Sequence, residues 1–470
     1  MRSFKLAVFA LSLLAFEASA QRAANFADSV KKFVVADQPL IIIRNARLWD
    51  GTGSQARDGQ DILIKDGRIS AIGPRLTATR DATTINADGK TVMPGLVMMH
   101  EHLFVPAPGG RLAFYSEPLI AQIMLAYGTT TARTAGSFAM DGDLKTKAQI
   151  AAGRLPGPDL DVTLYVDGPK PVQNLVTQVS DGQAARREVR YWHARGATSV
   201  KLFFGAPPMI SRAVIDEAHR LGMTVAGHLC ATFAKTAAEA GLDTLEHSML
   251  AVYDYIPGAT EGDCPTLPRQ TAIFKAMATL DPQGPEVGGV LAILLKHGVA
   301  IDPTIGVRDE RLCSPKLQPA PRELALLVKF EPGEGAFCPP GITAEIDERS
   351  LAFQLAAAVR YHRMGGMLVT GSDQGVVPGA MGPRELELLV RGGIAPADVL
   401  IAATRNGAIK LNRIKEIGTL EVGKRADFLI VAGKPDVAIS DIRKLTHVAR
   451  DGIVYDPEKL YQGGKGKLHF

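Results

Sequence analysis

The sequence predicts an α/β protein, a (β/α)8 TIM-like barrel with a small β-sandwich domain built from both chain ends. The first observation is a repeated pattern of a glycine, a short β-prone run and a polar residue. Such glycines suit the C-terminal ends of helices, and the apolar runs suit strands that are buried on both faces. The pattern occurs at residues 128–134, 196–201, 222–228, 241–247, 298–304 and 366–373, and a seventh run, residues 92–102, ends in His100-Glu101-His102.

Helix-like stretches alternate with these runs, which is the second observation. Examples are residues 117–127, 182–195, 209–221 and 349–364. Alternating strands and helices favour a parallel sheet, and polar residues at the carboxyl ends of its strands are typical of a barrel enzyme. Two long stretches rich in Pro, Gly and Cys, residues 251–271 and 305–342, follow two of the strands. We expect them to form walls of a substrate pocket, with plain surface insertions as the alternative.

Both chain ends are rich in predicted β-strands, which is the third observation. Asp66-Gly67 and Asp451-Gly452 each lie between apolar runs, as in tight hairpins, and residues 426–431 form a further apolar run. Because isolated hairpins are marginally stable in water, we expect the two ends to form one domain. The predicted organisation is a signal peptide at 1–20, a linker at 21–38, β-sandwich parts at 39–92 and 415–460, and the barrel at 93–414.

The N-terminus has the pattern of a secretory signal peptide. Arg2 and Lys5 precede an apolar stretch at residues 6–16, and Ala18-Ser19-Ala20 offers a cleavage site. The alternative is a membrane anchor, but this stretch is too short to span a bilayer. We therefore expect an exported protein, periplasmic or secreted, with no membrane span.

The charge balance of the chain bears on nucleic-acid binding. The formal net charge is +4, and removal of residues 1–20 would leave +3. So small a charge, without a basic tract interleaved with aromatic residues, gives no support for nucleic-acid binding.

Four cysteines remain in an exported chain, namely Cys230, Cys264, Cys313 and Cys338. An oxidising compartment permits disulfides, and the three full pairings are not distinguished by the sequence. A Cys313–Cys338 bridge would close a long loop, while four free thiols are equally compatible. The chain has no Cys-x-x-Cys pair, which argues against a structural zinc knuckle.

The polar residues at the predicted strand ends form a candidate metal site. His100 and His102 alternate by two, so both side chains point to the same side of an extended strand. His228, His247 and Asp373 each end another run. Imidazoles and a carboxylate suit zinc and related divalent ions, and their recurrence at equivalent strand ends favours ligation over ordinary hydrogen bonding.

Lys201 is unusual because apolar residues precede and follow it. A buried ammonium is costly, so such a lysine pairs with a carboxylate, loses its proton or is modified. A neutral amine can take up carbon dioxide to give a carbamate, which bridges two metal ions as a carboxylate does. The alternative is a lysine that extends to a carboxylate in a loop.

Several motifs together resemble those of the metal-dependent amidohydrolase superfamily, in its imidazolonepropionase-like and prolidase-like branch. The resemblance runs from Ile41 to about Tyr455. It is carried by Asn45-Ala46-Arg47 with Asp50-Gly51, Pro94-Gly95-Leu96 with His100-Glu101-His102, Gly128-Thr129-Thr130-Thr131, Gly227-His228, Glu246-His247, Gly371-Ser372-Asp373, Ala403-Thr404-Arg405-Asn406 and the stretch 418–427. Met98, Arg133-Thr134 and Asn406-Gly407 depart from frequent family residues, but none of them is a candidate ligand.

The resemblance implies a barrel with a β-sandwich and a site for two divalent ions, with zinc as the expected metal. His100, His102 and Asp373 would hold one ion, and His228 and His247 the other. Lys201, as a carbamate formed with CO2, would bridge both ions. Asp373 would also be the catalytic residue that moves the proton, whereas Glu101 would face away from the metals.

The expected enzyme is a metal-dependent hydrolase of carbon–nitrogen bonds, either amide or peptide. Its first expected activity is dipeptidase-like, namely release of a C-terminal amino acid from dipeptides or N-acyl amino acids, as from an Xaa-Pro dipeptide. The alternatives are hydrolysis of a cyclic amide or a small xenobiotic amide or ester, and a non-catalytic exported binding protein. Arg308, Arg311, Tyr253 and Tyr255 are candidates for binding a substrate carboxylate. The sequence is compatible with a homo-oligomer.

Overall fold

A computed structural model describes residues 25–106, 113–170, 176–256, 258–264, 266–310, 321–328, 341–373 and 377–468. The predicted signal peptide, Arg311, Cys313 and Cys338 lie outside the described residues. Among the residues that are described, no helix combines the length and the apolar character that crossing a membrane requires.

Twenty strands are described. They are β1 Val34–Ala36, β2 Leu40–Leu48, β3 Arg57–Lys65, β4 Arg68–Gly73, β5 Thr83–Asn86, β6 Thr91–Pro94, β7 Leu96–Met98, β8 Phe104–Pro106, β9 Ala113–Tyr115, β10 Thr129–Arg133, β11 Asp159–Asp161, β12 Thr163–Asp167, β13 Thr177–Gln178, β14 Ser199–Leu202, β15 Thr224–Gly227, β16 Thr244–Glu246, β17 Ala300–Asp302, β18 Phe428–Val431, β19 Leu445–Arg450 and β20 Ile453–Tyr455.

Fifteen α-helices accompany these strands in the described chain. They are α1 Asp28–Lys31, α2 Glu117–Ala126, α3 Met140–Ala151, α4 Gly182–Ala194, α5 Pro208–Arg220, α6 Ala234–Glu239, α7 Thr266–Thr279, α8 Pro285–Lys296, α9 Ile305–Glu310, α10 Pro321–Leu324, α11 Ala344–Arg363, α12 Gly382–Arg391, α13 Pro396–Ile401, α14 Gly407–Lys410 and α15 Pro457–Gly464. Shorter turns of helix occupy Ser248–Ala251, Ala402–Asn406 and Ile439–Arg443.

The central strands are parallel and alternate with helices, which confirms the α/β class. One sheet has the order β11-β10-β7, and a second has the order β13-β12-β14-β15-β16-β17. Residues 367–370 connect the outer strands of the two sheets. The Met99 amide donates to the Thr370 carbonyl at 2.7 Å, and the Val369 amide donates to the Ile301 carbonyl at 3.0 Å. We call this assembly the parallel-strand unit.

The glycine pattern located most of these strands correctly. Five of the six predicted segments overlap β10, β14, β15, β16 and β17, whereas residues 366–373 contribute one bridge among the described residues, between Leu368 and Ile301. Gly128, at a φ of +92°, ends the turn after α2 in the left-handed conformation that a C-terminal glycine allows. The pattern missed β11 and β12, because Asp159, Asp161 and Thr163 interrupt the apolar run.

Strands from both chain ends form one nine-stranded sheet with the order β1-β20-β19-β18-β6-β2-β3-β4, and β5 pairs with β2. Both hairpin predictions are confirmed, since β3–β4 and β19–β20 are antiparallel pairs on either side of Asp66-Gly67 and Asp451-Gly452. The four turn residues have positive φ angles, as a two-residue hairpin turn requires. Thr91–Pro94 pairs inside this sheet, across the expected boundary at residue 93.

The expected linker at 21–38 carries regular structure in the part that is described. Asp28–Lys31 is helical, and Val34–Ala36 adds an edge strand to the nine-stranded sheet by pairing with β20. Val30 and Phe33 are buried in the core of the molecule, which explains why this segment is ordered against the fold. At the other chain end, the Gln122 side chain on α2 donates to the carbonyl of Leu460 on α15 at 2.7 Å.

A disulfide ties one long loop to the parallel-strand unit. Cys230 and Cys264 are bonded, with a Cα–Cα separation of 5.7 Å. Their partnership was one of the pairings that the sequence left open. Since Cys230 follows β15 and the Gly262 amide donates to the Ala231 carbonyl at 2.7 Å, residues around 262 lie over the carboxyl end of that strand.

Candidate metal centre

The structure brings the six predicted site residues to one edge of the parallel-strand unit. His100 and His102 follow β7, Lys201 lies within β14, and His228 follows β15. His247 follows β16, and Asp373 follows the segment 367–370. All of these positions are at or beside carboxyl ends of parallel strands, which is where active sites of such folds form.

Asp373 is the point at which three of the histidines meet. Its Oδ1 atom lies 3.2 Å from His102 Nε2 and 3.5 Å from His100 Nε2, and its Oδ2 atom lies 3.8 Å from His247 Nδ1. One ligand atom each of His100, His247 and Asp373 fall within 4.8 Å of one another. Burial alone would raise the pKa of Asp373, but the charge of His100 and the hydrogen bonds from His100 and His102 hold it well below its usual value.

His228 completes the group on the other side of His247. The ring centroids of His228 and His247 are 4.3 Å apart, and those of His247 and His100 are 4.7 Å apart. Burial lowers the pKa values of His102 and His247, so both rings are neutral and have a nitrogen lone pair for a metal ion. Since the ring centroids of His100 and His102 are 5.3 Å apart, the four imidazoles are contiguous.

Lys201 is enclosed at this edge, with only 1% of its surface exposed. Its side chain is therefore shielded from solvent, and the charges of Glu246, Asp373 and Asp302 act on it within the fold. Burial, together with the charge of Arg133, lowers the pKa of the Lys201 amine to about 8 against the opposing charge of Glu246. An amine with so low a pKa has a substantial neutral fraction near neutral pH, and only the neutral form can react with carbon dioxide.

A buried chain of contacts orients His100. The Arg133 guanidinium donates to Glu246, and Glu246 contacts His100 Nδ1 in turn. Arg133 Nε also donates to the Met99 carbonyl at 2.6 Å. Since Nδ1 of His100 faces the Glu246 carboxylate, the Nε2 atom of His100 points towards Asp373. A carboxylate behind a histidine fixes the ring and its tautomer in metal sites. Sequence reasoning did not assign Arg133 or Glu246 to the site, because their roles depend on contacts across three strands.

Asp302 is a further acidic group that sequence reasoning missed. It is fully buried at the end of β17, and neither of its carboxylate oxygens has a hydrogen-bond partner among the described residues. One oxygen lies within 4.8 Å of ligand atoms of His100 and Glu246. Burial, reinforced by the charge of Glu246, raises the pKa of Asp302 to about 7. The position of Asp302 at the end of a predicted strand is the sequence feature that could have identified it as a site residue.

Glu101 holds the segment that carries Asp373. Its carboxylate accepts hydrogen bonds from the Ser372 amide at 3.0 Å and from the Ser372 hydroxyl at 2.7 and 2.8 Å. The Asp373 amide also donates to the His100 carbonyl at 2.8 Å. These bonds join the ends of β7 and of the segment 367–370, so they position Asp373 against the histidines.

Some backbone strain is found at the same edge. His247, Thr304 and Asp373 have φ angles of +60°, +46° and +53°, although none of them is a glycine. The His247 Nδ1 atom and the Thr304 hydroxyl are 2.7 Å apart. Residues in this conformation carry a cost of about 1–3 kcal/mol each and cluster at functional sites. Two of the ligand candidates, His247 and Asp373, therefore carry such strain.

These residues fit a site for divalent metal ions. Imidazole nitrogens of His100 and His247 and a carboxylate oxygen of Asp373 lie within 4.8 Å of one another, and Asp302, whose oxygens have no hydrogen-bond partner among the described residues, lies beside His100. Nitrogen and oxygen donors of this kind suit zinc and related ions. The four histidines, Lys201 and Asp373 could hold such ions, and Arg133, Glu246 and Asp302 would surround them.

The pocket-wall candidates have other partners. Arg308 donates to Asp347 at 2.5 Å and to Ser350 at 3.1 Å, so its guanidinium belongs to a buried ion pair. The Tyr255 hydroxyl donates to the Met249 carbonyl at 2.8 Å, and Tyr253 is buried. The expectation that Arg308 or Tyr255 binds a substrate carboxylate is therefore not supported, because both groups are engaged within the fold.

Replacement of Glu246 with Gln is expected to weaken metal binding by about 10–100-fold. The neutral amide no longer balances Arg133 and no longer fixes the His100 ring as a carboxylate does. Titration of the metal-free protein with zinc in the presence of a competing chelator measures the change. Glu239→Gln, at an exposed position on α6, is the matched control. Unchanged zinc affinity in Glu246→Gln would contradict an orienting role.

The comparisons with known proteins agree with this geometry. A model of the amidohydrolase family matches residues 91–459. The imidazolonepropionase of Symbiobacterium thermophilum is 26% identical over 398 residues, which cover 80% of this chain and 84% of that protein. A dihydroorotase of Halalkalibacterium halodurans is 57% identical over 52 residues, so this chain spans only 11% of its length.

Solved structures show the same fold. A crystal structure of an Xaa-Pro dipeptidase with methionine bound in its active site superposes with a TM-score of 0.66 at 19% identity. The superposition covers 89% of this chain and 100% of that chain. At this level of identity the likeness concerns the fold.

Proposed function

The chain belongs to the amidohydrolase family and is a hydrolase of carbon–nitrogen bonds, and from this premise we propose an exported enzyme with two metal ions that releases a C-terminal amino acid from dipeptides or N-acyl amino acids. The observation that supports it most is the convergence of His100, His102, His247 and Asp373 at one strand edge, with His228 and Lys201 beside them.

The proposed architecture is a closed barrel with a β-sandwich. Hydrogen bonds from residues 367–370 reach both β17 and the end of β7, and these bonds are the ones that closure would require. The sandwich would form from the nine-stranded sheet, whose own hydrophobic core includes Ile43, Ile62 and Phe428. The ligands would then surround the mouth of the barrel.

The proposed ligand sets follow the grouping of side chains. His100, His102 and Asp373 would hold one ion, and His228 and His247 would hold the other, with zinc as the proposed metal. Lys201 would bridge both as a carbamate, and its enclosed, weakly basic amine supports that modification. Glu246 and Arg133 would keep His100 in the tautomer that presents Nε2.

In the proposed mechanism the overall change is addition of water across an amide bond, giving an acid and an amine. When bound, two divalent ions lower the pKa of a water molecule and polarise a carbonyl oxygen. Asp373, whose low pKa keeps it ionised, accepts the proton of the attacking water and then delivers it to the leaving nitrogen. Glu101 and Ser372 hold Asp373 in place during both transfers.

A second candidate function is hydrolysis of a cyclic amide. The imidazolonepropionase match covers 80% of this chain, and the imidazolone ring in that name is a cyclic amide. This candidate uses the same ligands and the same proton transfer. A small xenobiotic amide or ester belongs to the same alternative.

Export is proposed from the sequence of residues 1–20 and is supported by the Cys230–Cys264 disulfide, since structural disulfides persist in oxidising compartments. Expression of the full chain in a secreting host tests it. N-terminal sequencing of the mature protein should begin at Gln21, and retention of Met1 on the folded protein would contradict export by a cleaved signal.

The activity is tested by mass-spectrometric product analysis. Protein without residues 1–20 is loaded with zinc and bicarbonate and mixed with a pooled library of dipeptides and N-acyl amino acids. Release of free amino acids by the wild type, but not by Asp373→Asn, would support the proposed activity and identify the preferred residue. No release from protein that holds about two metal ions would reject it and turn the search to cyclic amides and esters.

A further inference from the structure

Ring contacts extend from the metal centre through a continuous set of aromatic side chains, which we call the aromatic arc. Its members are Phe104, Phe138, Tyr165, Phe203 and Phe204. The ring centroids are 5.0 Å apart for His102–Phe104, 4.5 Å for Phe104–Phe138, 5.3 Å for Phe138–Tyr165, 4.8 Å for Tyr165–Phe203, 4.1 Å for Phe203–Phe204 and 4.0 Å for Phe204–His228. The arc therefore begins at one predicted ligand and ends at another.

The arc is built from residues within the parallel strands and from segments that follow them. Phe104 is the first residue of β8, Phe138 follows β10, Tyr165 lies in β12, and Phe203 follows β14. The acidic groups beside the histidines come from the remaining strands, with Glu246 on β16 and Asp302 on β17. The aromatic rings thus lie on the side of the strand edge that also carries Lys201, while Glu246 and Asp302 lie on the other side.

Tyr165 supplies a polar group within the arc. Its ring packs against Gly136, where an added Cβ atom would come within 2.8 Å of the ring, so backbone geometry fixes its position. Its ring is stacked on Phe138 and lies edge-on to Phe203. No hydrogen bond joins its hydroxyl to another described residue, and a phenol is a donor at neutral pH.

We propose that the aromatic arc binds a planar aromatic group attached next to the scissile amide, and that the Tyr165 hydroxyl donates a hydrogen bond to the bound substrate. This inference rests on the proposed function and names its substrate class. An arc of rings offers stacked and edge-to-face contacts to another ring, and such contacts add to the gain from apolar burial. Small-molecule sites combine apolar walls with a few placed polar groups, as here.

Pairs of substrates test the proposal, with the aromatic group placed on either side of the scissile amide bond. N-Benzoyl-alanine is compared with N-acetyl-alanine, and N-acetyl-phenylalanine is compared with N-acetyl-alanine. Binding is measured by calorimetry on zinc-loaded Asp373→Asn protein, and kcat/KM on the zinc-loaded wild type. In at least one pair the aromatic member is expected to bind about tenfold more tightly and to show a similarly higher kcat/KM.

Variants identify the residues that cause the preference. Phe138 is the partly exposed member of the arc, and Phe138→Leu is expected to reduce the aromatic preference about threefold or more. Tyr165→Phe keeps the ring and is expected to weaken binding of both members about two- to tenfold without changing their ratio. Tyr191→Leu is the matched control, because this side chain on α4 is 53% exposed. It should change neither the aromatic preference nor the binding affinity.

The outcomes separate this inference from the proposed function. If none of the amides is cleaved but the aromatic members bind more tightly, the proposed function fails and the arc proposal is upheld. If both pairs bind equally, or if Phe138→Leu retains the full preference, the arc proposal is overturned even when amides are cleaved.

Discussion

Replacement of Asp373 with Asn is expected to lower kcat by about 10²–10⁴-fold while the protein stays folded, because the amide cannot accept the proton of the attacking water. The side chain lies beside three histidines, and its amide and the neighbouring Ser372 are held by backbone and side-chain bonds that the substitution keeps. Steady-state kinetics and thermal unfolding measure the two effects.

Asp58→Asn is the matched control for this change, because Asp58 is exposed in the nine-stranded sheet and far from the histidines in the chain. Metal content is measured in parallel, so that loss of a ligand can be distinguished from loss of proton transfer. Turnover near the wild-type rate in Asp373→Asn would show that another group moves the proton.

Lys201→Ala is expected to lower kcat/KM by about three orders of magnitude, because removal of the amine removes the group proposed to join the two ions. The side chain is enclosed, so its loss leaves a buried space beside the histidines. A small carboxylate such as formate is expected to restore part of the activity by occupying that space, whereas chloride at the same ionic strength is not.

The control is Lys235→Ala, at an exposed position on α6. Intact-mass analysis of wild-type protein under gentle conditions should also show an addition equal to one molecule of CO2, which the Lys201→Ala protein lacks. Full activity of Lys201→Ala without added carboxylate would contradict a bridging role.

The sequence could reveal much of the fold because its signals are local. A glycine after each helix and a short β-prone run identify a parallel strand without knowledge of its neighbours, and an Asp-Gly pair identifies a hairpin. The strands β11 and β12 escaped this reasoning because polar residues interrupt their apolar run, and the partners that hold one of these residues inside the fold lie elsewhere in the chain. The Asp159 carboxylate is paired at 2.8 Å with both Arg413 and Arg425, residues more than 250 positions away.

The candidate ligands were visible for a similar reason, since each lies at or near the end of a recognisable run. The surrounding groups were not, because their meaning depends on which strands are neighbours. Glu246 contacts both Arg133 and His100, and Asp302 is its register partner on the next strand. The Cys230–Cys264 pairing depends on how a loop folds back, which residue types alone do not determine.

The proposed pair of metal ions is tested most directly by counting the ions that the protein binds. Wild-type protein is loaded with zinc and bicarbonate, dialysed, and measured by inductively coupled plasma mass spectrometry, with the His228→Ala and His247→Ala proteins alongside. We expect about two zinc ions per chain in the wild type and about one in each variant. Wild-type protein that retains no zinc, or the same zinc content in all three proteins, would contradict a two-metal site built from these histidines.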